Sequence, residues 1–445
     1  MIRLYYFLDI MCYTFAMDKI EELLTRGVAN IIPNKEELKK ILSSGKKLNV
    51  YLGIDPTATK IHLGHAVVLR KLSEFAKLEH NVTFLIGDFT ALIGDTSDKD
   101  TERPVLTSEQ IQENFKTYKK QAEKILDFSK IKIRQNSEWL KKLTFEEIIK
   151  LCQHFSFGDF TGRELIKNRL VSEQRIGLHE ALYPVMQGYD SYFLDTDIQL
   201  GGTDQLNNMQ AGRTLQKAFR KKNSYVMTTR LLHGTDGDKM SKTKGNVIWL
   251  EDTPEDMYAR IMAIHDDFIP EYYELATSIS MNEVLNIASS LKSLSNPISI
   301  KKQLAYTIVS ELCGSESAKR AQSNFENFVQ QKQQPQHIPI FDPSTIPSFQ
   351  PFKSTNTGAI SVKPIFSPTA RASGATIVDA LISSNLAGTI SEAKRVIEQG
   401  GVRYDNKVIT SSNEPFIPKE NAILKVGKHS DKIRRIKIEL KTAPK

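Results

Sequence analysis

The chain has 445 residues, of which 40% are hydrophobic and 25% charged, and this composition excludes a disordered chain and predicts two to three folded domains. The formal net charge is +8, and most of the excess lies at the end, because residues 371–445 carry 14 Lys and Arg against 8 Asp and Glu. A local basic excess predicts a polyanionic partner, although a solvated basic face gives the same count.

The N-terminal stretch, residues 1–16, is apolar but interrupted by Arg3 and Asp9, so it makes a poor signal peptide and is too short to span a bilayer. A fresh helix start follows at Met17, and we hypothesise that translation begins there or that the leader is disordered. No other segment approaches membrane-spanning length. Three widely spaced cysteines without C-x-x-C spacing indicate neither disulfides nor zinc, and they favour a reducing compartment, the cytoplasm.

The first 250 residues show strand and helix patterns in alternation. Residues 1–45 are expected to contain the leader and two amphipathic helices between residues 18 and 44, and residues 46–250 a Rossmann-like domain. Strands are predicted at Leu48–Leu52, Val82–Ile86, Ile131–Arg134 and Tyr225–Leu232, a helix is predicted at His65–Leu78, and capping boxes place helix starts after Thr107 and Thr144. This alternation predicts an α/β fold with a Rossmann-like parallel sheet covered on both faces.

The rest of the chain divides into three parts. Residues 251–330 carry little strand signal and are predicted to form a helical domain. Residues 331–370 contain seven prolines among Gln, Ser and Thr, which predicts an extended linker. Residues 371–445 are predicted to form a small α+β module.

The first chemical motif is His62-Leu63-Gly64-His65, between a loop and a predicted helix. Ligands of open α/β sheets bind at the carboxyl ends of strands, where helix N-termini present donors to anions. Two imidazoles in the first turn can donate to phosphate oxygens, and Gly64, which has no Cβ, lets a flat ring such as adenine lie against the backbone. By itself, the motif is explained equally well by a capped helix start with surface histidines.

The second motif runs from Asp238 to Asn246 and contains Lys239 and Lys242, three residues apart among small residues. Flexible ammonium groups in such a loop can stabilise the negative charge that develops as pyrophosphate leaves the α-phosphate. A lysine-rich loop is usually only solvated. Paired with a histidine motif about 180 residues upstream, it predicts an enzyme that acts on the phosphates of ATP.

These two motifs resemble the signatures of the class I aminoacyl-tRNA synthetases, and the surrounding residues resemble the bacterial-type, tyrosine-specific subfamily whose lysine loop reads K-M-S-K. The resemblance runs from about Asn49 to Ile248 and resumes at the C-terminus. It implies a homodimeric enzyme that uses ATP to attach tyrosine to the tRNA for tyrosine. Magnesium is expected to accompany ATP, held by the phosphates rather than by a protein metal site.

The resemblance also implies a role for individual residues. The catalytic residues are expected to be Thr57, His62, His65, Lys239 and Lys242. The ATP site is expected to contain Asp55, His62, Gly64, His65, Gly202, Asp204, Lys239 and Lys242. The tyrosine site is expected to contain Tyr51, Asp95, Tyr183, Gln187, Asp190 and Gln205. Thr96-Ser97-Asp98 stands where the subfamily has Pro-Ser-Gly, so the loop after Asp95 is expected to differ in shape.

The spacing of three of these residues agrees with such a pocket. Tyr183, Gln187 and Asp190 are four and three positions apart, so they share one face of a helix. A Tyr, a Gln and an Asp on one face suit a small zwitterion with a distal hydroxyl. A buried pair such as Tyr51 and Asp190 rejects phenylalanine because the hydrogen bonds of the pair go unmade, and discrimination between tyrosine and phenylalanine is the standard example of this rule.

The last module resembles the S-four RNA-binding domain from Thr376 to Tyr404. Lys394 and Arg395 are predicted on a helix that ends at a glycine pair, and Arg403 on the strand that follows. These cations suit RNA phosphates and are the predicted RNA-binding residues. Further basic positions are Lys407, Lys425, Lys428, Arg434 and Arg435.

Three alternative functions remain. A tryptophan-specific relative on the same fold is not expected to combine Tyr51, Tyr183, Gln187 and Asp190. A non-catalytic RNA-binding protein on this scaffold is not expected to keep both signature motifs. A small nucleotidylyltransferase shares the histidine motif but has neither the lysine loop nor the RNA module.

Overall fold

The computed structural model describes residues 19–57, 59–95, 106–240, 244–291, 296–330, 340–346, 375–405, 407–427 and 434–438. The backbone contacts group the chain into two units, Met1–Gln322 and Ser323–Lys445. The predicted leader therefore lies outside the described residues.

The first unit is built on a six-stranded sheet. Its strands are β1 (Val28–Ile32), β2 (Asn49–Ile54), β3 (Asn81–Ile86), β4 (Ile131–Gln135), β5 (Ile198–Gly202) and β6 (Tyr225–Thr229). They lie in the order β1-β6-β5-β2-β3-β4, and only the β1–β6 pair is antiparallel. The predicted Rossmann-like parallel sheet is confirmed, and its four predicted strands are all present with shifts of a few residues at their ends.

Two strands were missed by the sequence prediction. Residues 18–44 do not form two helices alone, because β1 lies between a helix at residues 19–25 and the helix Lys35–Ser43. The segment Val-Ala-Asn-Ile-Ile becomes a strand only through pairing with β6 at the sheet edge. β5 escaped prediction because it is short and ends in two glycines, although it lies at the centre of the sheet.

The centre of this sheet is where the strand order reverses. The chain runs outward from β2 to β3 and β4, and then returns to form β5 and β6 on the other side of β2. Adjacent loops leave such a switch point in opposite directions and open a crevice at the carboxyl ends of the strands. The ends of β2 and β5 therefore mark the expected ligand site.

Helices connect most of the strands and continue beyond the sheet in the chain. In chain order they are α1 (residues 19–25), α2 (Lys35–Ser43), α3 (Leu63–Lys77), α4 (Ser108–Ala122), α5 (Ser137–Leu140), α6 (Phe145–Cys152), α7 (Phe157–Thr161), α8 (Glu164–Val171), α9 (Tyr183–Phe193), α10 (Leu206–Arg220), α11 (Pro254–Met262), α12 (Ile269–Ala276), α13 (Met281–Leu291), α14 (Ile298–Cys313) and α15 (Ser315–Asn324). Thr107 and Thr144 form the predicted capping boxes at the starts of α4 and α6.

The predicted helical character of residues 251–330 is confirmed by α11 to α15. Their packing buries three tyrosines, Tyr258, Tyr272 and Tyr273, whose hydroxyls donate to the backbone oxygens of Lys302, His233 and Ile300. Nowhere in the described ranges is a helix both long enough and apolar enough to cross a bilayer.

The second unit has its own sheet and core. Its strands are β7 (Ile340–Phe341), β8 (Val402–Tyr404), β9 (Lys407–Ile409), β10 (Ile423–Val426) and β11 (Arg434–Ile438), in the order β7-β11-β10-β8-β9. Two helices, α16 (Ile377–Ser383) and α17 (Ile390–Glu398), pack on it. The predicted α+β module is therefore present.

Part of the predicted linker belongs to this module. Residues 340–346 are not an isolated extended segment, because β7 pairs in parallel with β11, and Phe341 and Ile346 enter the hydrophobic core at 7% and 1% exposure. Because prolines surround these two apolar residues, nothing in the sequence indicates that they are buried. The other positions of the predicted linker, 331–339 and 347–370, lie outside the described residues.

Candidate active site

A cavity of about 270 Å³ opens at the carboxyl ends of β2 and β5. Fourteen of the fifteen predicted ATP, tyrosine and catalytic residues line it, and the fifteenth, Lys242, lies outside the described residues. They are Tyr51, Asp55, Thr57, His62, Gly64, His65, Asp95, Tyr183, Gln187, Asp190, Gly202, Asp204, Gln205 and Lys239. Residues far apart in the chain thus face one space at the strand-order switch.

Tyr51 and Asp190 line the cavity and are both buried, each 3% exposed. The Tyr51 hydroxyl donates to Gln199 Oε1 at 3.3 Å. The two Asp190 carboxylate oxygens accept from Trp139 Nε1 at 2.7 Å and Asn136 Nδ2 at 3.1 Å. This polar pair is therefore held in place from behind.

Burial raises the pKa of the Asp190 carboxyl to about 8, against the opposing effect of the hydrogen bonds from Asn136 and Trp139. Burial also raises the pKa of Tyr51 well above its ordinary value. The ionised form of Asp190 therefore has a high free energy unless a further hydrogen-bond donor contacts the carboxylate. A phenolic hydroxyl entering the pocket can supply that donor.

Next to this pair, Asp55 connects the two predicted halves of the site. Its carboxylate accepts from the Tyr183 hydroxyl at 3.0 Å and from Thr90 Oγ1 at 2.7 Å. Asp55, which is predicted to bind ATP, therefore also orients Tyr183, which is predicted to bind tyrosine. Among the described residues Gln187 Oε1 is a buried acceptor without a hydrogen-bond partner, which suits an incoming ammonium group.

Asp95 lies on the other wall and is 8% exposed. Its carboxylate accepts from Gln205 Nε2 at 2.7 Å and from Asn208 Nδ2 at 3.3 Å. Because Asp95 and Gln205 both line the cavity, the two predicted tyrosine-binding residues form one hydrogen-bonded unit.

The histidine motif occupies the N-terminus of α3. His62 is the cap residue, its backbone N–H donates to His65 Nδ1 at 3.4 Å, and the two ring centroids are 3.9 Å apart. Burial, together with the charges of His65 and Lys239, lowers the pKa of His62 to about 2. His62 is therefore neutral and can offer a hydrogen bond but no charge.

Gly64 is required by its neighbour. A Cβ at this position would lie 2.9 Å from the His62 ring, so a larger residue would displace that imidazole. Lys239 brings a cation to the cavity, is half exposed and lies 4.0 Å from Asp204 Oδ2. The helix N-terminus and the ammonium group together favour an anion.

The sequence prediction did not include five residues that hold the site in place: Thr90 and Asn136, which line the cavity, and Trp139, Gln199 and Asn208, which lie behind it. Two signals in the sequence point to some of them. Asn136 directly follows β4, at the carboxyl edge of the parallel sheet, and Gln199 is a polar residue inside a buried strand. Hydrogen bonds across 148 positions, as between Tyr51 and Gln199, have no local signature.

The predicted RNA-binding residues lie in the second unit. Lys394 and Arg395 are exposed on α17, which ends before Gly400 and Gly401, and Arg403 is exposed on β8. The predicted helix, glycine pair and strand are confirmed here.

Comparison with known families agrees with this architecture. The profile of class I tRNA synthetases of the tryptophan and tyrosine type matches residues 43–330, and that of the S4 domain matches residues 378–416. The tyrosine–tRNA ligase of Carboxydothermus hydrogenoformans is 40% identical over 92% of this chain and 95% of its own length. The tyrosine–tRNA ligase of Thermotoga maritima is 39% identical over 92% of this chain and 95% of its own length.

Solved structures show the same fold. The C-terminally truncated mitochondrial tyrosyl-tRNA synthetase of Aspergillus nidulans superposes with a TM-score of 0.59, at 22% identity, over 69% of this chain and 93% of that one. The enzyme of Archaeoglobus fulgidus complexed with L-tyrosine gives a TM-score of 0.55, at 22% identity, over 69% and 99%. The chain belongs to the class I tRNA synthetases of the tryptophan and tyrosine type, within them to the bacterial-type tyrosine–tRNA ligases.

Proposed function

We propose that this enzyme attaches L-tyrosine to its cognate tRNA in two steps, formation of tyrosyl-adenylate from ATP and transfer of the tyrosyl group to the tRNA 3′ end. The observation that carries the proposal is the single cavity that joins the buried pair Tyr51 and Asp190 to both signature motifs. A phenolic hydroxyl satisfies the buried pair, and phosphates suit the helix N-terminus and Lys239.

In the first step, an oxygen of the tyrosine carboxylate attacks the α-phosphorus and pyrophosphate leaves. No protein nucleophile is needed, so the protein contributes positioning and charge stabilisation. His62 and His65 donate hydrogen bonds to phosphate oxygens, and Lys239 and Lys242 stabilise the leaving pyrophosphate. In the second step, a ribose hydroxyl of the tRNA attacks the carbonyl carbon of the adenylate and AMP leaves.

The remaining residues bind the two substrates. Asp55, Thr57, Gly64, Gly202 and Asp204 line the ATP side. The amino acid is held at its phenol by Tyr51 and Asp190, and at its ammonium end by Asp95, Tyr183, Gln187 and Gln205.

We further propose that Mg²⁺ enters with ATP and neutralises part of the phosphate charge. In the part of the chain that the structure describes, no group of three or more His, Cys, Asp or Glu side chains could hold a metal ion. Phosphate oxygens are proposed as its main ligands, because Mg²⁺ is usually bound through substrate phosphates and only one or two carboxylates.

The proposal is tested by pyrophosphate exchange into ATP, measured with tyrosine, phenylalanine and tryptophan in parallel. We expect exchange with tyrosine alone. A protein that exchanges with tryptophan is the tryptophan-specific alternative, and one that exchanges with no amino acid contradicts the proposal.

The second unit is proposed to bind the tRNA through Lys394, Arg395 and Arg403. A chain that ends at Gln330 removes both helices and all five strands of this unit, including β7, which the sequence boundary at residue 371 would leave behind. Because the cavity lies entirely in the first unit, we expect unchanged tyrosine-dependent exchange and a loss of tRNA charging of about 100-fold at limiting tRNA, as several phosphate contacts disappear.

The matched control for the truncation is the full-length chain with Lys394 and Arg395 replaced by glutamine, which keeps the fold and weakens charging in a salt-dependent manner. Equal charging by the truncated and full-length proteins would disprove an RNA role for the second unit.

A homodimer is proposed because the first unit exposes several large apolar side chains within one stretch of chain. They are Phe145, Ile149, Phe157, Leu170, Val171 and Leu178. Val171 and Leu178 are 78% and 79% exposed, which is unusual for monomeric surfaces when such residues cluster.

Replacing Leu178 with aspartate is expected to weaken the dimer at least tenfold, since it places a charge in an apolar interface. Sedimentation velocity over a concentration series measures this change. The control is Leu285→Asp on α13, where a leucine 60% exposed lies outside this stretch. A monomeric wild-type protein, or equal behaviour of the two variants, contradicts the proposed interface.

The free thiols of Cys152 and Cys313 agree with the cytoplasm as the proposed location.

A further inference from the structure

Asn208 lies directly behind the wall that is proposed to hold the substrate ammonium group. It occupies the first turn of α10, is fully buried, and does not line the cavity. Its Nδ2 donates to Asp95 Oδ1 and to Gln205 Oε1, both at 3.3 Å. One amide group therefore contacts both residues of the unit that faces the substrate.

The orientation of this amide is fixed by Arg163, at the start of α8. Arg163 Nη1 donates to Asn208 Oδ1 at 2.8 Å. A guanidinium has only donors, and an ionised carboxylate has only acceptors. The amide oxygen of Asn208 must therefore face Arg163, and its NH₂ group must face Asp95.

The bonds behind Asp95 set the direction in which it can accept. One carboxylate oxygen receives Asn208 Nδ2 and the other receives Gln205 Nε2 at 2.7 Å. A carboxylate accepts several hydrogen bonds at once, so Asp95 can also accept from a substrate ammonium group. Because Gln205 Oε1 is itself held by Asn208, both side chains are fixed before the substrate arrives.

We propose that Asn208, oriented by Arg163, is a positioning residue that aims Asp95 and Gln205 at the ammonium group of the amino acid. This inference rests on the proposed function, because it assigns the ammonium end of tyrosine to this wall. It predicts a loss confined to ligands that carry an ammonium group. Recognition of the phenol, at Tyr51 and Asp190, is independent of it.

The test uses two tyrosine analogues in isothermal titration calorimetry. Tyramine keeps the phenol and the ammonium group, whereas 3-(4-hydroxyphenyl)propanoate keeps the phenol and the carboxylate. In Asn208→Leu, a change of similar volume, we expect tyramine to bind about tenfold more weakly, because a buried hydrogen bond to a charged group is lost. The propanoate is expected to change less than about twofold, which is within the scatter of such effects.

Asn208→Asp is the second variant, and it retains an acceptor for Arg163 and so keeps the local fold. It replaces the donor to Asp95 with an acceptor, so the hydrogen bond that orients Asp95 is lost, and we expect weaker binding of tyramine than in the wild type. The matched control is Asn207→Asp, because Asn207 is the neighbouring residue of the same type and is exposed. It is expected to bind both analogues as the wild type does.

The inference is overturned if both Asn208 variants bind tyramine like the wild type. Equal weakening of the two analogues also overturns it, since that result indicates a general structural loss. A failure of the proposed function is distinguishable, because the wild-type protein itself would then bind no tyramine and show no tyrosine-dependent exchange.

Discussion

Replacing Asp190 with asparagine is expected to raise the KM for tyrosine by about 100-fold or more, as found when a site built to hydrogen-bond a hydroxyl loses its partner. The buried carboxylate accepts from Trp139 and Asn136, one on each oxygen. An amide has one acceptor oxygen, so its NH₂ group meets one of these donors and one buried hydrogen bond is lost. Tyrosine-dependent pyrophosphate exchange over a range of tyrosine concentrations measures the change.

The same substitution has a second expected effect, on stability. Burial raises the pKa of Asp190 from an unfolded value of 3.8 to about 8 in the folded protein. The stability that this residue contributes is therefore present below the unfolded pKa and is lost as the pH rises through about 8. Between about pH 4 and pH 8 the wild-type Tm should fall relative to that of Asp190→Asn, and above pH 8 the difference should level off.

The control for Asp190 is Asp195→Asn, just beyond α9. The side chain of Asp195 is 49% exposed and lies outside the cavity, so this chemically identical change should leave the KM for tyrosine unaltered. An Asp190→Asn protein whose KM stays within threefold of the wild type, with an unchanged preference for tyrosine over phenylalanine, would refute the assignment of the phenol site.

Replacing Lys239 with alanine is expected to lower kcat for adenylate formation by about 100- to 1,000-fold, the usual cost of removing one group that stabilises transition-state charge. Lys239 is half exposed, so little stability depends on it. The binding of tyrosine should be unchanged, because the tyrosine pocket lies at the other end of the cavity. Single-turnover formation of the adenylate separates this step from tRNA charging.

Lys244 provides a matched control from the same loop. Its ammonium group pairs with Asp238 at 2.7 Å, and it does not line the cavity. Lys244→Ala should therefore keep kcat within about threefold of the wild type, as is common for exposed ion pairs. Similar losses in both variants would show that the loop acts through its overall charge and not through Lys239.

The strands of the parallel sheet could be predicted from sequence where apolar residues cluster between turn signals, as in β2 and β3. β1 could not, because an edge strand of mixed burial depends on the pairing it makes with β6. The role of residues 340–346 in the second unit could not be predicted from the sequence for a similar reason. Their two buried residues stand among prolines, and only the second unit's core shows why they matter.

By itself, the sequence determined the family, the two signature motifs and the face of α9 that carries Tyr183, Gln187 and Asp190. These are local properties, since a motif or a helical period is complete within a few residues. Only the tertiary structure decided what holds the site residues in place: Trp139 and Asn136 behind Asp190, and Asn208 behind Asp95. Burial likewise decided that His62 is neutral and that the pKa of Asp190 is raised. The physical reason is that hydrogen-bond partners and desolvation depend on which distant residues the fold brings together, and a single sequence records neither.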